Sequence, residues 1–271
     1  MTIITVAPTG PIATKADNPT LPTQPAEIAD EVVRAYEAGA TVAHIHLRDE
    51  HDRPTADLGI AKRVLDLIAQ RCDILVQLST GVGLSVPFEE RAKLVDLRPE
   101  MATLNPCSMS FGDGEFRNPP RDVRELAARM RDLGVKPELE IYDTGHLEAA
   151  LRLRDEGFLD SEPLQFSIVL GVRGGMAATP RNLITMAERL PEGAVWQVIA
   201  IGRANRSLTA IGLALGGNAR AGMEDTLYLD KGVPTNGNLP LVQRTIGLAS
   251  ALGHSIADVE TTRKELGIVR A

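Results

Sequence analysis

A chain of 271 residues with 44% hydrophobic content can build a sizeable core, and its net charge of −7 argues against nucleic acid or an anionic membrane as the main partner. Aromatic residues make up only 3%, so that core falls to Ala, Val, Leu and Ile. Cys72 and Cys107 stand too far apart to suggest a disulfide framework, no run reaches the roughly 18 apolar residues of a membrane span, and "MTIITVAPTG" lacks a basic leader pattern. These features point to a cytoplasmic setting.

Apolar, β-branched runs then alternate with segments of helical period. A strand over 3–7 precedes a helix over 25–39, 41–47 precedes 59–71, 73–79 precedes 88–97, and 101–105 precedes 121–134. The pattern continues with 137–142 and 145–157, 164–172 and 179–190, 194–202 and 205–217, then 218–224 and 238–253. Several helices open on Thr, Asp or Asn near Pro and stop at Gly. Eight strand–helix pairs predict a (β/α)8 TIM barrel, a single domain over 1–271 with an extra C-terminal helix over 256–270. A doubly wound sheet is the competitor, but "APTGPIATK" carries no G-x-G-x-x-G and no P-loop occurs. Residues 105–120 read as a long loop, a frequent place for function.

In a barrel, chemistry gathers where strands end. Those ends carry Thr9–Gly10, His44, His46 and Arg48, Ser79–Thr80–Gly81, Thr103 and Asn105, Glu140 and Tyr142, Arg173, Arg203, and Glu224–Asp225. His44 and His46 share one face of a strand, because side chains alternate with period two. Two imidazoles and a carboxylate suit a divalent cation, with a position left for substrate. A closed barrel returns its last strand beside its first, so Glu224 is expected to face both histidines. Two core histidines bonded to backbone remain the alternative. Singly, the other groups have plainer readings: Ser79 to Gly81 as a helix cap, Asn105 as a turn residue, Arg220 and Asp225 as an ion pair.

The motifs "TVAHIHLRDEHDRP", "LVQLSTG", "RPEMATLN", "SFGD", "PELEIYDTG", "FSIVLGVRGGM" and "RAGMEDTLYLDKG" together resemble the β-keto acid cleavage enzymes, in order and over nearly the whole chain. The resemblance implies a zinc-dependent barrel, typically a homotetramer. Its reaction would turn a β-keto acid and acetyl-CoA into acetoacetate and a new acyl-CoA. By motif match His44, His46 and Glu224 would hold zinc, Asp225 would be the base, and Arg220 the cation near the reacting carbonyl. Ser79, Gly81, Thr103 and Asn105 would surround the substrate carboxylate. Arg173, Arg203 and Arg206 are candidates for the CoA phosphates. The amino-acid-cleaving members carry a glutamate two residues after the first "TG" pair. Here Pro11 and Ile12 follow, which argues against an aminated substrate.

Two other enzymes share such a barrel. An amidohydrolase would place its H-x-H on the first strand and need more histidines from the fifth and sixth; the sixth has none. A metal-assisted aldolase or acyl-CoA lyase is a nearer rival, distinguished by turnover without acetyl-CoA. A non-catalytic binding barrel would have no use for the Glu224–Asp225 pair.

Overall fold

Eight parallel strands close on themselves, as the strand count predicts, in a computed structural model that describes residues 1–268. The chain runs through β1 (Ile4–Val6), α1 (Pro25–Glu37), β2 (Val42–Ile45), α2 (Leu58–Ala69), β3 (Leu75–Leu78), α3 (Phe88–Arg91) and β4 (Met101–Leu104). A 3-10 turn over Ala92–Leu97 extends α3. Next come β5 (Met109–Phe111), β6 (Gly114–Phe116), α4 (Pro120–Leu133), β7 (Lys136–Ile141), α5 (Thr144–Asp155), β8 (Gln165–Leu170) and α6 (Pro180–Ala187). The last part holds β9 (Val195–Ala200), α7 (Asn205–Ala214), β10 (Asn218–Ala221), β11 (Tyr228–Asp230), β12 (Val233–Pro234), α8 (Leu239–Ala251) and α9 (Val259–Glu265).

The barrel order is β1, β10, β9, β8, β7, β4, β3, β2, and β2 returns to β1. Thr5 of β1 therefore stands between Arg220 of β10 and Val42 of β2. This seam brings the two ends of the chain together. Outside the barrel, helices bury their apolar stripes on the strands. In α1, Pro25 sets the first turn, the Glu27 carboxylate accepts from the Gln24 N–H at 3.1 Å, and Ile28, Val32 and Ala35 form the buried face. Fully burying a side chain the size of Ile28 or Val32 contributes about 1.5–3 kcal/mol. A charge at Ile28 would break that face.

Three details depart from the sequence reading. The expected loop over 105–120 contains the hairpin β5–β6, turned at Gly112 and Asp113, with Met109 opposite Phe116. A second small hairpin, β11–β12, follows the last barrel strand. The final helix is shorter than 256–270: it starts after Asp258, whose carboxylate caps the Thr261 N–H at 2.7 Å, and Val269 and Arg270 lie outside the described residues. Among the described residues no helix is long and apolar enough to cross a membrane.

Candidate active site

His44 lies in β2 and His46 one residue beyond it; both point into the barrel and are buried. Glu224 follows β10 and reaches them across β1. Its Oε2 lies 3.5 Å from His44 Nε2, and its Oε1 lies 3.6 Å from His46 Nε2. Gly222 makes that approach possible: a Cβ there would stand 1.9 Å from the Ala7 carbonyl oxygen. The ligating atoms of the three side chains lie within 4.8 Å of one another, so the expected convergence is present. His44 Nε2 and Glu224 Oε2 are buried without a hydrogen-bond partner. A buried ring nitrogen and a buried carboxylate oxygen facing each other without a hydrogen bond suit a cation, and the His₂Glu donor set fits a divalent ion with an open position.

Beside them, Arg220 joins both acids. Its Nε and Nη2 donate to Asp225 at 3.0 and 2.7 Å, and Nη2 also donates to Glu224 Oε1 at 2.5 Å. The ion pair foreseen between Arg220 and Asp225 therefore forms, while Arg48 turns away to donate to the carbonyls of Gly10, Ala13 and Asp52. Two carboxylates against one guanidinium leave one negative charge, the complement a cation needs. Burial disfavours the charge on Arg220, but Asp225 and Glu224 outweigh it and hold the guanidinium well above its usual range. For Glu224, burial is likewise outweighed, by Arg220 and the two histidines, and its carboxyl falls well below the ordinary value. Asp225 goes the other way: burial raises it against the pull of Arg220. Burial also raises Glu140, which borders the same space.

A cavity of about 850 Å³ opens over this cluster, within the size range of small-molecule sites. His46, Ser79, Gly81, Glu140, Arg220, Glu224 and Asp225 line its polar part. Ile12, Leu84, Phe111, Phe116, Val172, Ile201 and Leu227 supply much of its apolar lining, and Asp17 and Arg173 also border it. Two of the aromatic walls, Phe111 and Phe116, come from the unforeseen β5–β6 hairpin. Arg91 anchors that hairpin: its guanidinium lies 4.8 Å from the Phe116 ring and donates to the Asn118 side chain at 2.8 Å.

Other sequence candidates divide. The Ser79 hydroxyl accepts from the Gly81 N–H at 3.2 Å, and α3 starts too late in the chain for Ser79 to cap it. Asn105 lies just outside the cavity wall, buried with both amide atoms unpartnered, and its Nδ2 would lie 3.8 Å from a Cβ on the wall residue Gly81. Thr103 is not in the cavity wall; its hydroxyl accepts from the Thr80 N–H at 2.9 Å and so braces the Ser79–Gly81 turn from behind. Arg173 borders the mouth but pairs with Asp113 at 3.0 Å. Arg203 is exposed and outside the wall, and Arg206 pairs with Asp230 at 2.9 Å.

The sequence reading missed a buried polar network. His44 Nδ1 lies 2.6 Å from Gln77 Oε1, and Gln77 Nε2 donates to Glu138 Oε2 at 2.8 Å. Gln165, Gln197 and Ser167 also donate to Glu138. Adjacent register explains the first contact, because His44 and Gln77 are direct partners across β2 and β3. Alternation of polar residues along β7 and β8, beside a lone Gln77 in the apolar run of β3, was the available signal.

A sequence model of the family described as beta-keto acid cleavage enzyme matches residues 1–268. The chain is 37% identical over 268 residues to the 3-keto-5-aminohexanoate cleavage enzyme of Fusobacterium nucleatum, covering 98% of this chain and 97% of that one. It is 34% identical over 270 residues to the 3-oxoadipate:acetyl-CoA acetyltransferase of Cupriavidus necator, covering 98% and 94%. Among solved structures, the ternary complex of ObcA with C4-CoA adduct and oxalate superimposes with a TM-score of 0.76 at 21% identity, over 92% of this chain and 68% of that one. That likeness is one of fold.

Proposed function

The chain belongs to the beta-keto acid cleavage enzyme family, and on that premise we propose that it exchanges acyl groups between a β-keto acid and acetyl-CoA, giving acetoacetate and a new acyl-CoA. The observation that carries this reading is the meeting of His44, His46 and Glu224 beside the Arg220–Asp225 pair at one cavity. The relatives' names support it: a transferase from Cupriavidus necator uses acetyl-CoA with 3-oxoadipate. A cytoplasmic setting, suggested by the cysteine usage, and a homotetramer, implied by the resemblance, belong to the same reading.

His44, His46 and Glu224 would hold zinc. When bound, zinc supplies Lewis-acid stabilisation of negative charge on the substrate's oxygens, worth several kcal/mol. The chain's own groups do the rest. Ser79, the backbone near Gly81 and the free amide of Asn105 receive the substrate carboxylate, and Thr103 keeps their turn in place. Asp225 takes a proton from the carbon between ketone and carboxylate. An ordinary aspartate is a weak base, and the upward push of burial helps. Arg220 holds Asp225 in position and stabilises oxyanion charge as it develops.

The carbanion then attacks the acetyl thioester and CoA leaves as thiolate. That thiolate adds to the substrate's keto carbon, the adjacent carbon–carbon bond breaks, and Asp225 returns the proton to the departing fragment. The acetyl group ends on the two-carbon carboxylate fragment as acetoacetate. The remaining acyl group ends on CoA, so no redox partner is needed. Arg173 and Arg203 remain candidates for the CoA phosphates.

The substrate's far end would meet Ile12, Leu84, Phe111 and Leu227, which suits an uncharged group, or an anionic one if Arg173 at the mouth reaches it. Asp17 also borders the cavity, its Oδ2 accepting from the Thr14 N–H and hydroxyl at 2.8 Å each. The test is a panel of β-keto acids with acetyl-CoA, following acyl-CoA products by mass. Apolar substrates should give acyl-CoA and acetoacetate in equal amounts. Cleavage without acetyl-CoA would replace the transferase reading by a lyase.

A further inference from the structure

Glu138 sits on β7, fully buried and outside the cavity wall. Among the described residues, every group hydrogen-bonded to it is a donor. Gln77, Gln165 and Gln197 present their Nε2 groups to its Oε2 at 2.8, 3.0 and 3.4 Å, and the Ser167 hydroxyl donates to Oε1 at 2.7 Å. Ser167 is aimed there because its oxygen accepts from Gln197 Nε2 at 3.1 Å. His44, Glu138 and Glu140 also lie close enough to suggest a second ion site, but the carboxylate of Glu138 is already occupied by these donors. It is a hydrogen-bond hub.

A glutamine amide offers donors on one end and an acceptor on the other. With its NH₂ held by the Glu138 carboxylate, Gln77 can turn only its oxygen toward His44; the reverse would set oxygen against oxygen. His44 Nδ1 lies 2.6 Å from that oxygen and must donate. The lone pair then falls on Nε2, the atom 3.5 Å from Glu224. Partners of this kind commonly orient ligating imidazoles. We infer that Glu138 is a positioning residue for the His44–His46–Glu224 centre, acting through Gln77 to keep the proton of His44 on Nδ1. The inference deepens the zinc reading of that centre and rests on it for its consequence, though not for the proton's position.

Replacing Glu138 by Gln puts one oxygen and one NH₂ where two oxygens stood, so Gln77 can turn over and present its NH₂ to His44. The proton position is read by nitrogen-15 NMR of metal-free protein labelled at histidine, with His44 assigned by its loss in His44→Ala. In the unaltered protein Nδ1 should carry a proton from mildly acid to mildly alkaline pH, whatever the charge of the ring. Glu138→Gln should move part of that proton to Nε2 and weaken zinc binding by about tenfold to hundredfold in competition with a chelating dye. The double variant Gln77→Glu with Glu138→Gln restores an acceptor to His44 and should recover both readouts. If Glu138→Gln does not fold, Gln77→Leu carries the same test, since it removes the acceptor directly. An Nδ1 without its proton in the unaltered protein would overturn the inference. So would a folded Glu138→Gln with an unchanged proton position. A protein that shows the Nδ1 proton and its shift yet binds no zinc would overturn the zinc reading alone.

Discussion

Gly10 and Glu224 share a space that leaves no room for a methyl group: a Cβ on Gly10 would stand 2.5 Å from Cγ of Glu224 and 3.2 Å from its carboxyl carbon. The "TG" pair after β1 thus makes room for the acid that follows β10. Gly10→Ala should push the Glu224 carboxylate away from His44 and His46, lowering zinc affinity by about tenfold to hundredfold. A competition titration with a chelating dye reads this directly. An affinity equal to that of the parent chain would show that Glu224 can yield without loss.

Asp225 has a chemical and a structural task, and Asp225→Asn separates them. As the proposed base, its loss should cut kcat by about 10²–10⁴. Arg220 would lose one charged partner in a buried site, costing up to about 3 kcal/mol of stability. Zinc stoichiometry should stay at the parent value, since none of the three proposed ligands is altered. Activity near the parent level would remove Asp225 from the base role.

Ile12 borders the cavity yet is 65% exposed, so a charge there need not disturb the core. Ile12→Glu should raise kcat/KM for an aminated β-keto acid by about tenfold, corresponding to 1.4 kcal/mol. It should lower kcat/KM for an apolar one. Comparing both substrates on both proteins tests whether this position reads the far end of the substrate.

Glu27 supports a pH prediction remote from the site. Burial works to raise its carboxyl, but Lys15 and the N–H groups of Thr23 and Gln24 outweigh that effect and hold it at about 2 against an ordinary 4.5. Between those values the unfolded chain binds the proton more readily, so this contribution is present above pH 4.5 and lost as pH falls toward 2. Because the side chain is 44% exposed, solvent screening limits the contribution to about 1 kcal/mol. Glu27→Gln should lower stability at neutral pH by that amount and flatten the acid limb. Denaturant melts across the range measure it.

All eight barrel strands and the helices between them were legible, because the apolar period repeated throughout and Pro–Gly punctuation reinforced it at several steps. The meeting of His44, His46 and Glu224 followed from period two plus closure. Gln77 and Glu138 were not legible as partners of His44, since alternating polar residues on a strand look the same whether they meet solvent or one another. Arg48 shows the opposite limit: adjacency to the histidines suggested a place in the site, but backbone carbonyls of the neighbouring loops claim its guanidinium. Thr103 is intermediate, at the right strand end but one shell behind the cavity. The β5–β6 hairpin hid in a Gly-rich stretch whose strands are three residues each, too short for periodicity to register.

The β10–β1–β2 seam would tie the proposed ion capture to the completion of the ring. A chain still emerging from the ribosome presents both imidazoles long before residue 224 is made, and in that interval it would lack the carboxylate of the three proposed ligands. On the zinc reading, tight uptake would begin only once the final strand docks beside the first, so a preparation of the parent chain that is partly misfolded should bind less than one equivalent of metal.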